Sequence, residues 1–411
     1  MSVVAPVVPT GGPVEVAAVL AEVAAPARPL EVGDPRVREL LAELARRLLD
    51  PALTRRHPEL APLGFFLRGA GVSGILRRLD GGDGGEGEVR LPRGLVFHIP
   101  PANVDTLLGY SWALSLLAGN ANVVRVSERV SGAATALLDI VADVLAEADP
   151  DLARTQRFVR YPREDAATAE LSSACDLRVI WGGDATVDAI RRNPLPPRAR
   201  DLTFPDRSSL ALFSAEGWAS ATPRQRRAAA AGLHDDVFLF DQAACASPRT
   251  LVWVGDEATA RDAGAELVEL LGETVARRGT SVDAAMAVEK HVATYGLAAT
   301  SAVRTVRFHG NDIAVLDPVS PDRLPRRWLG AGTLAEIRLD DPVELVPLLH
   351  RRDQTVVHFG LARADLLRLA RALGSRGVDR LVPAGEAMRF GAVWDGYDLP
   401  REFTRIVTVR G

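Results

Sequence analysis

Cysteine and lysine are almost missing from this 411-residue chain. The two cysteines, Cys175 and Cys245, show no Cys-x-x-Cys spacing. That argues against a disulfide framework or a zinc ribbon, and no metal site is expected; a reducing, cytoplasmic setting fits. Of the 49 basic side chains only Lys290 is a lysine, so Schiff-base or P-loop lysine chemistry has little to work with. Charge of one sign is lacking too: a net charge of -4 gives no electrostatic reason to expect nucleic acid or an anionic membrane as partner. Residues 1–28 have no basic n-region, and no apolar run there is long enough to span a bilayer. What is present, 47% apolar and 25% charged residues, is ordinary for a soluble globular protein, with length for two or three domains.

The Ala-, Val- and Pro-rich start, residues 1–33, reads as a mobile or loosely packed arm. Asp34-Pro35 is a helix-start signal, and Leu40, Leu41, Leu44 and Leu48 then share one helical face. Residues 80–88, mostly Gly, Asp and Glu, form a flexible loop. From Val89 the pattern alternates strand and helix: strands at 94–99, 122–127, 157–161 and 177–181, with helices between, the first capped by Asp105. The second half repeats this, with helices near 223–233 and 258–278 and strands at 251–254 and near Ile313, Ile337 and Val356. Such βα units predict parallel sheets covered by helices. The expected division is an arm (1–33), a cofactor-binding domain (34–208), a catalytic domain (209–385) and a C-terminal segment (386–411), with the domain joint near 204–214.

Cys245 lies between an apolar run, Val237 to Phe240, and a second, Leu251 to Val254, with Ser247 and Pro248 breaking the chain. Buried segments on both sides of a tight turn would fix the thiol beside free backbone N–H groups, as a nucleophile requires. The plainer reading is a small buried hydrophobe, and Cys175 reads that way. Three further stretches carry candidate ligand groups. His98-Ile-Pro-Pro-Ala-Asn103 puts an amide past a strand's carboxyl end, where open α/β sheets bind ligands, although a turn asparagine is the alternative. Arg125, Ser127 and Glu128 end the next strand and suit a ribose or phosphate; a solvated strand end would look the same. Gly182-Gly183-Asp184 is a strand-to-helix turn through which backbone can approach a pyrophosphate, without the full GxGxxG.

In this order the segments resemble the aldehyde dehydrogenase superfamily, and more closely its acyl-CoA reductase branch. His98 to Asn103 looks like the oxyanion loop, Leu117 to Glu128 the cofactor-ribose strand, and Trp181 to Asp184 the pyrophosphate turn. Phe240 to Pro248 looks like the nucleophile loop and Arg389 to Asp398 the branch's C-terminal signature. The resemblance implies a Rossmann-type cofactor domain, an α/β catalytic domain and a small oligomerisation element. It makes Cys245 the nucleophile, Asn103 an oxyanion donor, and Arg125, Ser127, Glu128, Gly182, Gly183 and Asp184 the cofactor site. Two departures stand out. The run Leu202 to Ser208 lacks the general-base glutamate of many aldehyde-oxidising relatives, and Asp188 replaces the second glycine of the dinucleotide turn.

The missing base favours thioester exchange over hydrolysis, because a thiolate needs no activated water. The expectation is an oxidoreductase that reduces a fatty acyl thioester, on coenzyme A or a carrier protein, to an aldehyde. The resemblance implies NADPH, with NADH as the alternative, and a homo-oligomer (dimer or tetramer) beside an acyl-transfer or aldehyde-consuming enzyme. An aldehyde-oxidising dehydrogenase and a non-catalytic carrier-binding scaffold stay open.

Overall fold

The computed structural model describes residues 2–24, 26–80, 87–101, 104, 106–130, 132–162 and 166–410. Asn103, Asp105 and residues 81–86 lie outside the described residues. The chain forms two compact units, residues 1–205 together with 390–411, and residues 206–389.

The first unit holds strands β1 (Val3–Val8), β2 (Val14–Glu15), β3 (Glu88–Pro92), β4 (Leu95–Ile99), β5 (Ala121–Val126), β6 (Gln156–Arg160), β7 (Leu177–Trp181) and β8 (Arg200–Phe204). Seven of them make one sheet, ordered β2-β1-β6-β5-β4-β7-β8. β4 to β8 are parallel neighbours. From β4 the chain winds out through β5 and β6, then returns to β7 and β8 on the other side. This is the doubly wound order, and its switch point lies between β4 and β7.

Local sequence explains most of these elements. The Asp34 carboxylate accepts from the Arg36 N–H, Pro35 occupies the first helical position, and Leu40, Leu41, Leu44 and Leu48 of the Pro35–Leu48 helix are buried. Each such leucine contributes about 1.5–3 kcal/mol. The Thr106–Leu117 helix is buried all round. It ends at Gly119, whose φ of +83° suits glycine and where a Cβ would meet the Glu31 carbonyl at 2.8 Å.

Residues 1–33 are not a loose arm. β1 runs antiparallel along β6, with Ala5 opposite Arg160 and Pro6 opposite Val159. Val4, and Val16, Val19 and Val23 of the Val16–Val23 helix, are buried against Phe97, Ile99, Val159 and Leu171. Alternating small apolar residues found a sheet edge to join, a partner invisible in the local sequence.

The chain passes from one unit to the other between Pro205 and Asp206, inside the 204–214 stretch. β8 ends at Phe204, the first unit at Pro205, and β9 (Ser208–Ser214) begins almost at once. The second unit continues through β10 (Pro248–Val254), β11 (Val303–His309), β12 (Ile313–Pro318), β13 (Thr333–Leu339), β14 (Asp353–Phe359) and β15 (Arg380–Pro383). Its sheet is ordered β11-β12-β13-β10-β9-β14-β15, parallel except for β11. β9 alternates as a doubly covered strand should: Ala211 and Phe213 join the core under the Pro223–Phe238 and Glu257–Arg278 helices, Leu210 and Leu212 the opposite one. Back in the first unit, β16 (Val393–Trp394), β17 (Tyr397–Asp398) and β18 (Thr404–Thr408) follow, and β18 pairs with β3.

Candidate active site

The first unit gathers its candidate groups on one edge. Arg125, Ser127 and Glu128 follow the carboxyl end of β5, and Gly182, Gly183 and Asp184 follow that of β7. β4 lies between them, and its continuation carries Asn103, four residues past Ile99. A buried polar network ties β4 to the amino ends of β5 and β6. His98 on β4 is within 2.9 Å of both Ser111 Oγ and Asn122 Oδ1, and Asn122 Nδ2 donates to Gln156 Oε1 at 2.8 Å. Burial pulls the His98 pKa down to about 4, so the ring is neutral. Trp112 Nε1 donates to Gln156 as well, tying the Thr106–Leu117 helix to the same cluster.

Arg125 lies half-buried, its guanidinium 5.1 Å from the Tyr161 ring centre and Nη2 3.4 Å from the Tyr161 carbonyl. Its Nε is buried without a hydrogen-bond partner among the described residues. Ser127 Oγ is engaged locally, accepting from the Arg129 N–H at 3.2 Å, and Glu128 is exposed. The Asp184–Arg191 helix starts at Gly183 without a side-chain cap. Gly182 has a packing reason as well: a Cβ there would stand 3.1 Å from the Thr186 side chain. Asp184 and Asp188 are both exposed on this helix.

In the second unit, the apolar run before Cys245 begins as helix and ends in irregular backbone at Leu239 and Phe240. The Pro223–Phe238 helix starts at a capping box of Thr222 and Gln225, continues five residues past Leu233, and buries Val237 and Phe238. The backbone then does something costly. Phe240, Asp241 and Gln242 take φ of 58°, 52° and 60°, three consecutive non-glycine residues in left-handed space. Each such residue costs on the order of 1–3 kcal/mol unless its surroundings hold it.

Here the surroundings do. The Trp328 indole N–H donates to the Asp241 carbonyl at 2.9 Å. Gln242 is buried; its Nε2 donates to the carbonyls of Pro248 (2.7 Å) and Thr333 (2.9 Å), and its Oε1 accepts from the Thr333 N–H (3.0 Å). Ser209 Oγ on β9 donates to the carbonyl of Cys245 at 2.7 Å and accepts from the Thr355 N–H. Cys245 is thus held in a turn at the amino end of β10, partly exposed.

Arg249, four residues on, donates through Nη1 to the Arg326 carbonyl at 2.6 Å, while its Nε is buried without a partner among the described residues. Burial pulls its pKa down, opposed by the charges of Cys245 and Asp206. Arg326 itself forks onto the buried Asp353 carboxylate at 3.0 Å, which also accepts from Ser208 Oγ. Gln242, Ser209 and Arg249 had no role assigned from sequence. Gln242 stood inside the recognised motif, but its partners come from β10 and β13.

Cys175 is packed, as its sequence suggests: 1% exposed, with a pKa pushed up to about 12 by burial. Among the described residues no cluster of three or more His, Cys, Asp or Glu could hold a metal, and no helix is long and apolar enough to cross a membrane.

Comparison with known proteins bears on this arrangement. The family model for acyl-CoA reductase (LuxC) matches residues 71–406. Over 168 residues, 40% of this chain and 33% of the relative, the sequence is 26% identical to a long-chain acyl-protein thioester reductase of Aliivibrio fischeri. A second such enzyme, from Photobacterium leiognathi, is 27% identical over the same length. The matched span therefore covers about a third of these curated relatives. An NAD-dependent aldehyde dehydrogenase from Sinorhizobium meliloti superposes with a TM-score of 0.69 at 16% identity, covering 96% of this chain and 85% of that one, a likeness of fold. With two doubly wound sheets and a family match spanning both units, the chain belongs to the acyl-CoA reductase (LuxC) family.

Proposed function

We propose that this protein reduces a long-chain acyl thioester, carried on coenzyme A or on a protein, to the fatty aldehyde through a thioester formed on Cys245. The observation that carries the reading is the nucleophile loop. Three left-handed residues and the bonds from Trp328, Gln242 and Ser209 present one partly exposed thiol, an arrangement a packing cysteine does not need. The Cys245 thiolate adds to the thioester carbonyl, with Asn103 and the Cys245 N–H as oxyanion donors. The C–S bond to the carrier breaks, and the carrier thiolate leaves and takes a proton from water.

The carboxyl edge of the first sheet suits a nicotinamide dinucleotide: Gly182-Gly183 opens a helix at the switch point, and Arg125 offers a buried Nε without a partner among the described residues. When bound, that cofactor supplies the hydride that takes the thioacyl carbon to an aldehyde. The chain's part is to hold the thioacyl group in the fixed loop and to take back the thiolate as the aldehyde leaves. Arg125 paired with a 2′-phosphate selects NADPH. Ser127, Glu128 and Asp184 complete the site around the ribose and pyrophosphate. A homo-oligomer in the cytoplasm, fed by an acyl-transfer enzyme and drained by an aldehyde consumer, is the setting this chemistry suits.

The test is cofactor oxidation across long-chain acyl-CoA and acyl-carrier-protein substrates. Aldehyde formed from a thioester supports the reading; acid formed from aldehyde and NAD without coenzyme A, and nothing from thioesters, would sink it. For the cofactor, Arg125→Ala should weaken NADPH by about tenfold or more while sparing NADH. Equal losses would remove the 2′-phosphate contact.

A further inference from the structure

We propose that Arg249 is the cation that keeps Cys245 in its thiolate form, replacing the proton-abstracting base that the Leu202–Ser208 run lacks. The inference rests on Cys245 being the nucleophile and deepens that reading. A thiol becomes nucleophilic in one of two ways: a base removes its proton, or a nearby positive charge stabilises the anion. Arg249 serves the second route. It is the second residue of the strand that Cys245's turn leads into, and among the described residues its guanidinium is anchored only by Nη1 on the Arg326 carbonyl.

Its Nε is buried with no partner among the described residues. A buried donor left unpaired next to a reactive group calls for an acceptor that appears in the working state. The anions that act on this guanidinium are Cys245 and Asp206, and Asp206 is exposed, where water weakens its hold. Arg326, the neighbouring cation, is no substitute, because both its Nε and Nη2 are committed to the buried Asp353 carboxylate. Ser247, between the two residues, also carries a buried hydroxyl without a partner among the described residues. Ser247 and Arg249 thus bring two buried donors without partners among the described residues to the stretch that follows Cys245. An arginine keeps its proton at every physiological pH, so the stabilisation does not itself titrate.

The experiment follows iodoacetamide alkylation of the folded, full-length protein from pH 5.5 to 10, with mass spectrometry separating the Cys245 and Cys175 peptides. The wild type should alkylate Cys245 with a midpoint at least one unit below the ordinary thiol value of about 8.5. Arg249→Gln should move that midpoint to about 8.5 or above, cutting the rate at pH 7 by about tenfold or more, with the high-pH plateau unchanged. Arg249→Lys, which keeps the charge on a shorter reach, should fall between them.

A wild-type midpoint at or above about 8.5 overturns the proposal without any variant. So does an unmoved midpoint in Arg249→Gln, even with a lower plateau, which would leave Arg249 a packing role alone. Should Arg249→Gln not fold, the Arg249→Lys midpoint decides: displaced upward it supports the inference, unmoved it refutes it. No acyl substrate enters the measurement. A shifted thiol in a protein that forms no aldehyde would therefore sink the proposed function alone, and aldehyde formation with an ordinary thiol would sink this inference alone.

Discussion

Cys175 and Cys245 occupy the same place in the local topology and have opposite characters. Each follows a helix, sits in the turn before a parallel strand, and has an arginine three or four residues later, Arg178 on β7 and Arg249 on β10. Around Cys175 everything is committed. Arg178 forks onto Asp201 at 2.7 and 3.0 Å and donates again to Ser172 Oγ and the carbonyls of Ile190 and Asn193. The thiol, buried and near the Ser172 carbonyl, is driven up to about 12 by burial despite the arginine beside it. Around Cys245 the backbone is strained, the residue is partly exposed, and among the described residues the guanidinium is held at one corner. A nearby arginine therefore does not make a thiol reactive. The proposal for Cys245 turns on access to water and on a charge with spare capacity.

The sharpest way to break the comparison is to delete each sulfur in turn. Cys245→Ala should abolish both aldehyde formation and covalent acyl labelling, whereas Cys175→Ala should keep turnover within about twofold of wild type, since at most a packed sulfur is lost. Acyl labelling that survives in the Cys245 variant would end the assignment.

Next in size is the contrast in chemical reactivity. At pH 7.5, a thiol with a pKa of about 12 has a vanishing thiolate fraction. Brief iodoacetamide treatment of native protein should therefore label Cys245 more than about a hundredfold faster than Cys175, and denaturant should erase the difference. Comparable native labelling would show that the first unit opens around Cys175.

A third prediction concerns alkaline stability. Because its folded pKa is raised, Cys175 keeps its proton in the native state after the unfolded chain has lost it. Between about pH 9 and 12 the unfolded state binds fewer protons, so stability falls as pH rises, by up to about 1.4 kcal/mol per pH unit. Urea titrations at pH 8, 10 and 11 should show this slope, and Cys175→Ala should lack its share of it. An identical slope in the variant would assign the loss to other groups.

The smallest effect should come from Ser209→Ala. It removes the hydrogen bond to the Cys245 carbonyl, worth about 1 kcal/mol, and the one accepted from the Thr355 N–H, and leaves Gln242 and Trp328 in place. Turnover should drop about fivefold with Cys175 labelling unchanged. A loss as large as that of Cys245→Ala would mean the loop has no other effective anchor.

Much of the first unit was legible because its signals are local. Asp34-Pro35, the Leu40–Leu48 stripe and the apolar runs of β4, β5 and β7 each announce an element within a few residues. β1 was not, because its identity depends on β6, far along the chain. The start of β9 gave no separate signal, because only Pro205, Asp206 and Arg207 lie between it and β8. At the site, motif order pointed to Cys245, but nothing in Phe240-Asp241-Gln242 predicts left-handed backbone. No intrinsic preference favours it there, and tertiary bonds from β10, β13 and Trp328 override the local tendency. Ser209 and Arg249 were visible as letters and silent as roles, since a hydroxyl at a strand start has no signature until the sheet is assembled.

The division of the chain sets an order of events during synthesis. Residues 206–389 are contiguous and can close their core as soon as they are made. The first unit cannot. Trp394, Leu399 and Phe403 belong to its main core, β18 supplies the partner of β3, and the Asn120 side chain donates to the Phe403 carbonyl. A nascent chain that has reached Pro205 thus carries an open hydrophobic seam through translation of the whole second unit.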